Sequence, residues 1–172
     1  VMLHCLILFV PFLILLPWMP FNITGWVPPP GSNPIPATLL LLSVVVGIPF
    51  IVVATSAAND CLYCVVAHGA ILRIYEKNPL IADQLATNYR KAAITPRQRA
   101  MLDFALKVAT RSAEIADADF ELLRAHGFSD EDAWDIGAIA AFFALSNRMA
   151  NLSSMMPNAE FHLLGRIPRE KK

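Results

Sequence analysis

The charged side chains of this chain are confined to one part of its sequence. All 14 basic and all 14 acidic side chains lie from Asp60 onward, so residues 1–59 contain no Asp, Glu, Lys or Arg. We therefore expect the two parts to occupy different environments. The charges balance to zero, and both signs are mixed along the charged part. This mixture argues against nucleic-acid binding and against electrostatic attachment to a membrane.

The uncharged part contains two apolar runs, at about residues 3–18 and 39–54, which are separated by a proline-rich linker. Each run is just shorter than the roughly 20 residues that a membrane-spanning helix requires, and neither is flanked by Lys or Arg. We consider a membrane anchor, helices buried in an oligomer, and an N-terminus foreign to the domain. Alternatively, the second run is a buried helix of the domain itself. The predicted division is an apolar segment with its linker at 1–38 and a helical domain at 39–172.

The charged part is predicted to be all-α, because it has helix-capping patterns and no alternating strand pattern. Thr95 before Pro96 predicts one helix start, and Ser129 before three acidic residues predicts another. The predicted helices cover about residues 61–74, 80–89, 96 onward, 118–125 and 130–151. The last of them is apolar nearly all round between Ile136 and Leu145. This predicts a central buried helix, or a helix buried between the subunits of a homo-oligomer.

The chemistry is expected at a Cys-x-x-Cys-x-x-x-His pattern formed by Cys61, Cys64 and His68. On a helix capped by Asn59 or Asp60 these side chains share one face, and the two cysteines are within disulfide reach. A helix N-terminus and a neighbouring imidazolium lower the pKa of a thiol, whereas the Asp60 carboxylate opposes ionisation of Cys61. We therefore predict Cys64 as the attacking thiolate, His68 as the group that handles its proton, and Cys61 as the more exposed resolving thiol.

Two other interpretations of the motif are open. A Cys-x-x-Cys pair is often half of a zinc site, and His68 would then be a third ligand, with His126 or His162 as the fourth. The sequence contains no second paired cluster, which weighs against structural zinc. In the other interpretation the cysteines are small core residues on an apolar helix, and His68 is a hydrogen-bonded core histidine.

Three segments, at residues 56–69, 95–102 and 142–148, together resemble a known family. Their sequences are SAANDCLYCVVAHG, TPRQRAML and FFALSNR. They are similar to the AhpD-like, carboxymuconolactone decarboxylase superfamily, and most of all to its branch of peroxidase-related alkylhydroperoxidases. The resemblance implies an AhpD-like helical domain, assembly into trimers or multiples of trimers, and reduction of peroxides by a dithiol pair. It also implies that Cys64 is peroxidatic, that Cys61 resolves it, and that His68 belongs to a proton relay.

The resemblance ends upstream of the motif, where the N-terminal segment is atypically apolar. The relay of the family also uses a glutamate twelve residues before the first motif cysteine, and this position is Pro49 here. Proline transfers no proton and is unfavourable inside a helix. The nearest carboxylates are Asp60, as a cap, and Glu76, roughly 12 Å along the helix from His68, which is too far for direct transfer. We therefore predict an impaired peroxidase.

The predicted function is a thiol-dependent peroxidase that uses no cofactor and no metal. Its predicted partners are a small peroxide and a dithiol reductant, either a lipoyl protein or a thioredoxin-like protein. We expect the catalytic domain to be cytoplasmic, with membrane association through residues 3–18 and 39–54 left open. One alternative is a decarboxylase of the carboxymuconolactone type, which does not require a cysteine pair. The other is a non-catalytic membrane-associated or assembly protein.

Overall fold

The computed structural model describes residues 37–76 and 78–166, with side chains from residue 47 onward. Every regular element in these ranges is a helix: α1 (Ala37–Ala58), α2 (Leu62–Tyr75), α3 (Ile81–Asn88), α4 (Pro96–Arg111), α5 (Asp117–Ala125), α6 (Asp130–Leu152) and α7 (Ala159–Leu163). Short 3₁₀ turns, Tyr89–Lys91 and Ser112–Glu114, follow α3 and α4. The all-α prediction is confirmed, and each predicted helix boundary lies within one residue of the observed one.

The centre of the fold is the C-terminal half of α1. Seven consecutive side chains are at most 3% exposed: Phe50, Ile51, Val52, Val53, Ala54, Thr55 and Ser56. α1 packs against α2, α3, α4 and α6, and these helices together bury its residues 50–56. A charged side chain on this stretch would be buried without a partner, which explains why the stretch carries none. From Phe50 onward, the second apolar run is therefore a buried helix of the domain.

Pro49 lies inside α1, although a proline is unfavourable in a helix interior. Its missing N–H group and its ring cost about 3 kcal/mol or more. Full burial of one large apolar side chain contributes about 1.5–3 kcal/mol. Burial of Phe50, Ile51 and Val53 together therefore outweighs the helix-breaking effect of Pro49, and α1 continues through it.

The first apolar run, at residues 3–18, and the linker after it lie outside the described residues. Across residues 47–76 and 78–166, where side chains are described, no helix combines the length and the apolar character that crossing a membrane requires. The predicted domain boundary at residue 38 stays a prediction.

Two of the helices that surround α1 start at the predicted caps. The hydroxyl of Thr95 accepts a hydrogen bond from the backbone of Gln98, whose side chain in turn accepts one from the backbone of Thr95. Ser129 and Asp132 form the same reciprocal pair at the start of α6. Because α4 and α6 also pack against each other, α6 is held beside α1 and the start of α2.

α6 is buried along one face only. The buried face consists of Ala133, Ile136, Ala140, Phe143, Ala144, Asn147 and Ala150. The other side carries large apolar side chains that are 36–78% exposed, namely Trp134, Phe142, Leu145, Met149 and Leu152, which we call the exposed face of α6. The prediction that α6 is the central helix is therefore wrong, because α1 takes that place. Its predicted burial between subunits stays a prediction.

Candidate active site

The turn between α1 and α2 sets the position of the two cysteines. Cys61 is the N-cap residue of α2, with φ −92° and ψ 94°, and its side chain makes no capping hydrogen bond. Asn59 and Asp60, the predicted caps, lie in the turn instead, where Asp60 has a left-handed φ of 52°. The backbone N–H of Cys61 donates to the carbonyl of Ser56 at 2.9 Å, which folds α2 back against the end of α1. Cys64 is consequently the third residue of α2.

Both thiols are buried. Cys61 is 1% exposed and Cys64 is 3% exposed, so the prediction that Cys61 is the more exposed of the two is wrong. They form a small apolar cluster with Ala150, against which Tyr63 and Met155 pack. The two thiols are free and hydrogen-bond each other, so the spacing of the motif brings the pair into contact.

Burial dominates the ionisation of Cys64. It raises the pKa of this thiol to about 12, and the hydrogen bond and the electrostatic interaction with Cys61 act in the same direction. Hydrogen bonds with the side chains of Asn147 and Ser56 lower the pKa, but by less. The sequence predicted that a helix N-terminus and an imidazolium lower the pKa of this thiol, and the raised pKa shows that this part of the prediction is wrong. Desolvation of the charged form outweighs both effects.

His68 follows Cys64 by one turn of α2, and its ring meets that of Phe143 edge-on, with 5.1 Å between the centroids. Burial lowers the pKa of His68 to about 4, because desolvation disfavours the charged imidazolium. The ring is therefore neutral near pH 7. It can accept a proton, but it places no positive charge beside the thiol of Cys64.

A hydrogen-bond network of amide and hydroxyl groups adjoins the thiols. Nδ2 of Asn59 donates to the backbone oxygen of Thr55 at 2.9 Å and to Oδ1 of Asn147 at 3.1 Å. Nδ2 of Asn147 donates to Oγ of Ser56 at 2.9 Å. Both Asn147 and Ser56 are 0% exposed, and both side chains hydrogen-bond Cys64. The hydrogen-bond network therefore ends at the sulfur of Cys64.

Sequence reasoning gave no role to Ser56 or Asn147, although both lie in the segments that carry the family resemblance. One signal was available for Asn147. It falls on the face of α6 that also carries Phe143, Ala144 and Ala150, so it is a polar residue at a core position. A fully buried amide needs hydrogen-bond partners, which points to a specific role at that position.

The other sequence candidates lie apart from the thiols. His126 follows α5, where its Nδ1 contacts the backbone oxygen of Leu122 at 2.9 Å. His162 lines a small cavity with Arg73, and Glu76 caps the C-terminal end of α2. Among the described residues, no three side chains of His, Cys, Asp or Glu are grouped so that they could hold a metal ion. The structure thus gives the zinc interpretation no support.

Three of the solved structures that resemble this chain come from bacteria. One from Ralstonia eutropha JMP134, described as an alkylhydroperoxidase AhpD core and an uncharacterized peroxidase-related protein, is 63% identical, with a TM-score of 0.70 over 77% of this chain and 75% of that one. An uncharacterized peroxidase-related protein from Silicibacter sp. TM1040 is 42% identical, with a TM-score of 0.69 over 76% and 73%. A protein of unknown function from Agrobacterium tumefaciens, proposed to be an antioxidant defence protein AhpD, is 26% identical, with a TM-score of 0.59 over 72% and 89%.

No protein-family model matches the chain, and no curated protein does. The likeness to the Ralstonia structure nevertheless extends from the fold to the sequence, because 63% of the residues are identical over three quarters of each chain. The all-α fold and the three resembling segments agree with it. The chain belongs to the AhpD-like, carboxymuconolactone decarboxylase superfamily, in its branch of peroxidase-related alkylhydroperoxidases.

Proposed function

We propose that the protein is a thiol-dependent peroxidase in which Cys64 and Cys61 cycle between a dithiol and a disulfide. The observation that carries the proposal is the contact between two free thiols, one turn before a neutral histidine, His68. The peroxidase-related family of the chain supports the proposal. A pair of core cysteines would need neither the histidine nor the polar side chains that bond to Cys64.

The reaction has two steps on the protein. The sulfur of Cys64 attacks one oxygen of the peroxide, so that an S–O bond forms, the O–O bond breaks and an alcohol leaves. The sulfur of Cys61 then attacks the sulfenic acid on Cys64, an S–S bond forms, and the sulfenic oxygen leaves as water. An external dithiol of a lipoyl or thioredoxin-like protein reduces this disulfide by thiol–disulfide exchange.

His68 handles the proton of the first step. It is neutral because burial lowers its pKa to about 4, and it therefore accepts the proton of the Cys64 thiol as the attack begins. It then gives this proton to the departing alkoxide. The pKa of Cys64, about 12, makes ionisation unfavourable before the peroxide is in place, so deprotonation and attack are expected to occur together.

We also propose that the protein forms a homo-oligomer, a trimer or a multiple of trimers, through the exposed face of α6. Its five apolar side chains recur at helical spacing along one side of α6. Monomeric proteins rarely expose continuous apolar patches of more than a few hundred Å². A second copy of the chain is the expected cover, because the resemblance implies assembly into trimers or multiples of trimers.

One observation favours a second candidate function. The raised pKa of Cys64 is the property expected of an inert thiol, so a non-catalytic assembly protein would also fit this part of the site. No observation favours the decarboxylase alternative in the same way. That chemistry does not require a cysteine pair, so it leaves the complete pair unexplained.

The test is stopped-flow reduction of an alkyl hydroperoxide, with the free thiols titrated before and after. We expect the wild-type protein to lose two thiols for each peroxide consumed, because one disulfide forms. Cys64→Ser should abolish the reaction, whereas Cys61→Ser should stop at the sulfenic acid. Cys5→Ser removes the third cysteine of the chain and is the matched control.

Peroxide consumption that survives Cys64→Ser unchanged would contradict the assignment of the attacking thiol. If the wild-type protein consumes no peroxide, the non-catalytic candidate takes its place.

A further inference from the structure

We propose that Ser56 and Asn147 form a two-donor cradle that positions the sulfur of Cys64 and stabilises negative charge on it as the thiolate forms. The two side chains come from α1 and α6, are 91 positions apart in the sequence and meet at 2.9 Å. They are positioning residues, because they bond to the attacking sulfur and do not themselves react. The proposal rests on the peroxidase function proposed above.

The hydrogen bonds of Asn59 fix which atoms in the cradle are donors. The backbone oxygen of Thr55 can only accept, so the Asn59 atom at 2.9 Å from it is the amide nitrogen. The same nitrogen lies 3.1 Å from Asn147, so the atom of Asn147 at that contact is its oxygen. The NH₂ group of Asn147 is thereby turned toward Ser56, with two hydrogens to donate.

Both members of the cradle have a hydrogen left for the thiol. One N–H of Asn147 donates to Oγ of Ser56, and the other remains for a second acceptor. The hydroxyl of Ser56 accepts in that contact, so its own hydrogen also remains. Hydrogen bonds from both groups to Cys64 favour the ionised form of the thiol. Two donors therefore converge on a single sulfur.

A purely structural role would explain why Ser56 and Asn147 are buried. It would not explain why both side chains hydrogen-bond the sulfur of Cys64. Thr55, the residue before Ser56 on α1, is also fully buried, and its hydroxyl has no hydrogen-bond partner. Burial on α1 alone therefore does not force a hydroxyl into a polar network. Ser56 is in one because the amide of Asn147 and the thiol of Cys64 lie next to it.

The cradle acts against the desolvation of Cys64. Fixed hydrogen-bond donors replace water at the atom where negative charge develops, and they need no reorganisation when the charge forms. Serine and asparagine side chains do not ionise at ordinary pH, so the cradle stabilises the thiolate without carrying its proton. It therefore does not replace the relay glutamate that Pro49 displaces.

The test is the rate at which iodoacetamide alkylates Cys64 at about pH 8, followed by mass spectrometry of the Cys64 peptide in a Cys61→Ser background. Alkylation requires the thiolate, so well below the thiol pKa its rate falls about tenfold for each unit by which that pKa rises. Loss of a hydrogen bond to a charged group corresponds to about one to two pKa units. Ser56→Ala is therefore expected to slow alkylation about 10- to 100-fold.

Asn147→Leu is expected to slow alkylation to a similar extent. The matched control is Thr55→Val, which removes the neighbouring buried hydroxyl and keeps the backbone carbonyl that Asn59 uses. We expect Thr55→Val to alkylate at the wild-type rate, because its hydroxyl bonds to nothing. Thermal unfolding shows whether each variant is folded. If Asn147→Leu does not fold, the alkylation rate of Ser56→Ala alone tests the proposal.

An unchanged alkylation rate in folded Ser56→Ala overturns the proposal. Equal slowing in Thr55→Val also overturns it, because packing rather than hydrogen bonding would then be the cause. Alkylation uses no peroxide, so the two proposals fail separately. If Ser56→Ala slows alkylation but the wild-type protein reduces no peroxide, the cradle stands without the peroxidase. If the wild-type protein reduces peroxide but Ser56→Ala alkylates normally, the peroxidase stands without the cradle.

Discussion

The side-chain amide of Asn147 donates to the hydroxyl oxygen of Ser56 at 2.9 Å and so connects α6 to α1 beside the first turn of α2. Both side chains are 0% exposed, so the bond lies entirely inside the protein. An unmade hydrogen bond in such a place costs more than a made one contributes, because neither group can turn to water. The bond therefore specifies how α6 packs at the point where the cysteine motif begins.

The adjacent hydroxyls of Thr55 and Ser56 give opposite predictions for stability. Oγ1 of Thr55 is buried without a hydrogen-bond partner, and valine has nearly the same shape. An unsatisfied buried group costs about 1–3 kcal/mol, so Thr55→Val is expected to raise the free energy of unfolding by about 1 kcal/mol. Ser56→Ala removes the acceptor of an N–H group of Asn147, so it should lower the free energy of unfolding by about 1–3 kcal/mol. Urea unfolding measures the stability of both variants. If Ser56→Ala were the more stable of the two, the assignment of hydrogen bonds to these hydroxyls would be wrong.

Helix boundaries could be predicted because they depend on neighbours in sequence. The pairs Thr95 with Gln98 and Ser129 with Asp132 are three residues apart, and each forms the predicted cap. The predicted start of α2, at Cys61, is one residue before the observed start at Leu62. Asp60 adopts a left-handed backbone conformation, so it belongs to the turn, and Cys61 becomes the cap of α2 in its place. No pattern in the sequence requires a left-handed conformation at Asp60.

The state of the thiols could not be predicted, because it depends on packing between distant segments. Cys64 is buried against Ala150, and its hydrogen-bond partner Asn147 also lies on α6, more than 80 positions away in the sequence. The local effects of a helix N-terminus and a histidine favoured a low pKa, and burial by α6 reversed the direction. The register between α1 and α6 that joins Ser56 to Asn147 is likewise a property of the packed helices alone.

The stability of the fold is predicted to fall in mild acid because of His68. Its pKa is about 4 in the folded protein and about 6.5 in an unfolded chain. Between these values the unfolded chain binds a proton that the folded protein does not, so the free energy of unfolding decreases as pH falls through this window. The full effect is up to about 3 kcal/mol, reached below about pH 4.

The measurement compares urea unfolding of the wild-type protein and His68→Phe at about pH 7 and about pH 4.5. Phenylalanine retains an aromatic ring beside Phe143 but cannot be protonated. Carboxylates titrate in both proteins, so their contribution cancels in the difference. We expect the wild-type protein to lose more stability than the variant. An equal loss in both would show that His68 is not held neutral by burial.

The exposed face of α6 is predicted to hold subunits together. Light scattering at micromolar concentration should show a trimer or a multiple of it. Leu145, which is 59% exposed at this face, is the position to change, and Leu145→Glu should shift the protein toward the monomer, because a buried unpaired carboxylate is costly. Leu122→Glu is the matched control, since Leu122 is 48% exposed on α5. A wild-type protein that is a uniform monomer would contradict the prediction.

Pro49 occupies the place where the family resemblance implies a relay glutamate. Seven residues span about two turns of helix, so position 49 lies on the same side of α1 as Ser56 and about 10 Å from it along the axis. Ser56 bonds to Cys64, and α2 returns alongside α1 after a three-residue turn. We therefore expect position 49 to lie toward the later residues of α2, on the His68 side of the thiols. A carboxylate there is expected to exchange protons with His68, and a proline cannot.

Replacing Pro49 with glutamate is accordingly expected to speed up peroxide reduction. A positioned proton-transfer group typically contributes about 10²- to 10⁴-fold to a rate. Pro49→Gln is the matched control, because it removes the proline and adds a side chain of the same size that does not ionise. Stopped-flow reduction of an alkyl hydroperoxide should be at least about tenfold faster in Pro49→Glu than in Pro49→Gln. Equal rates would mean that the missing glutamate does not limit this enzyme, and the prediction of an impaired peroxidase would then be wrong.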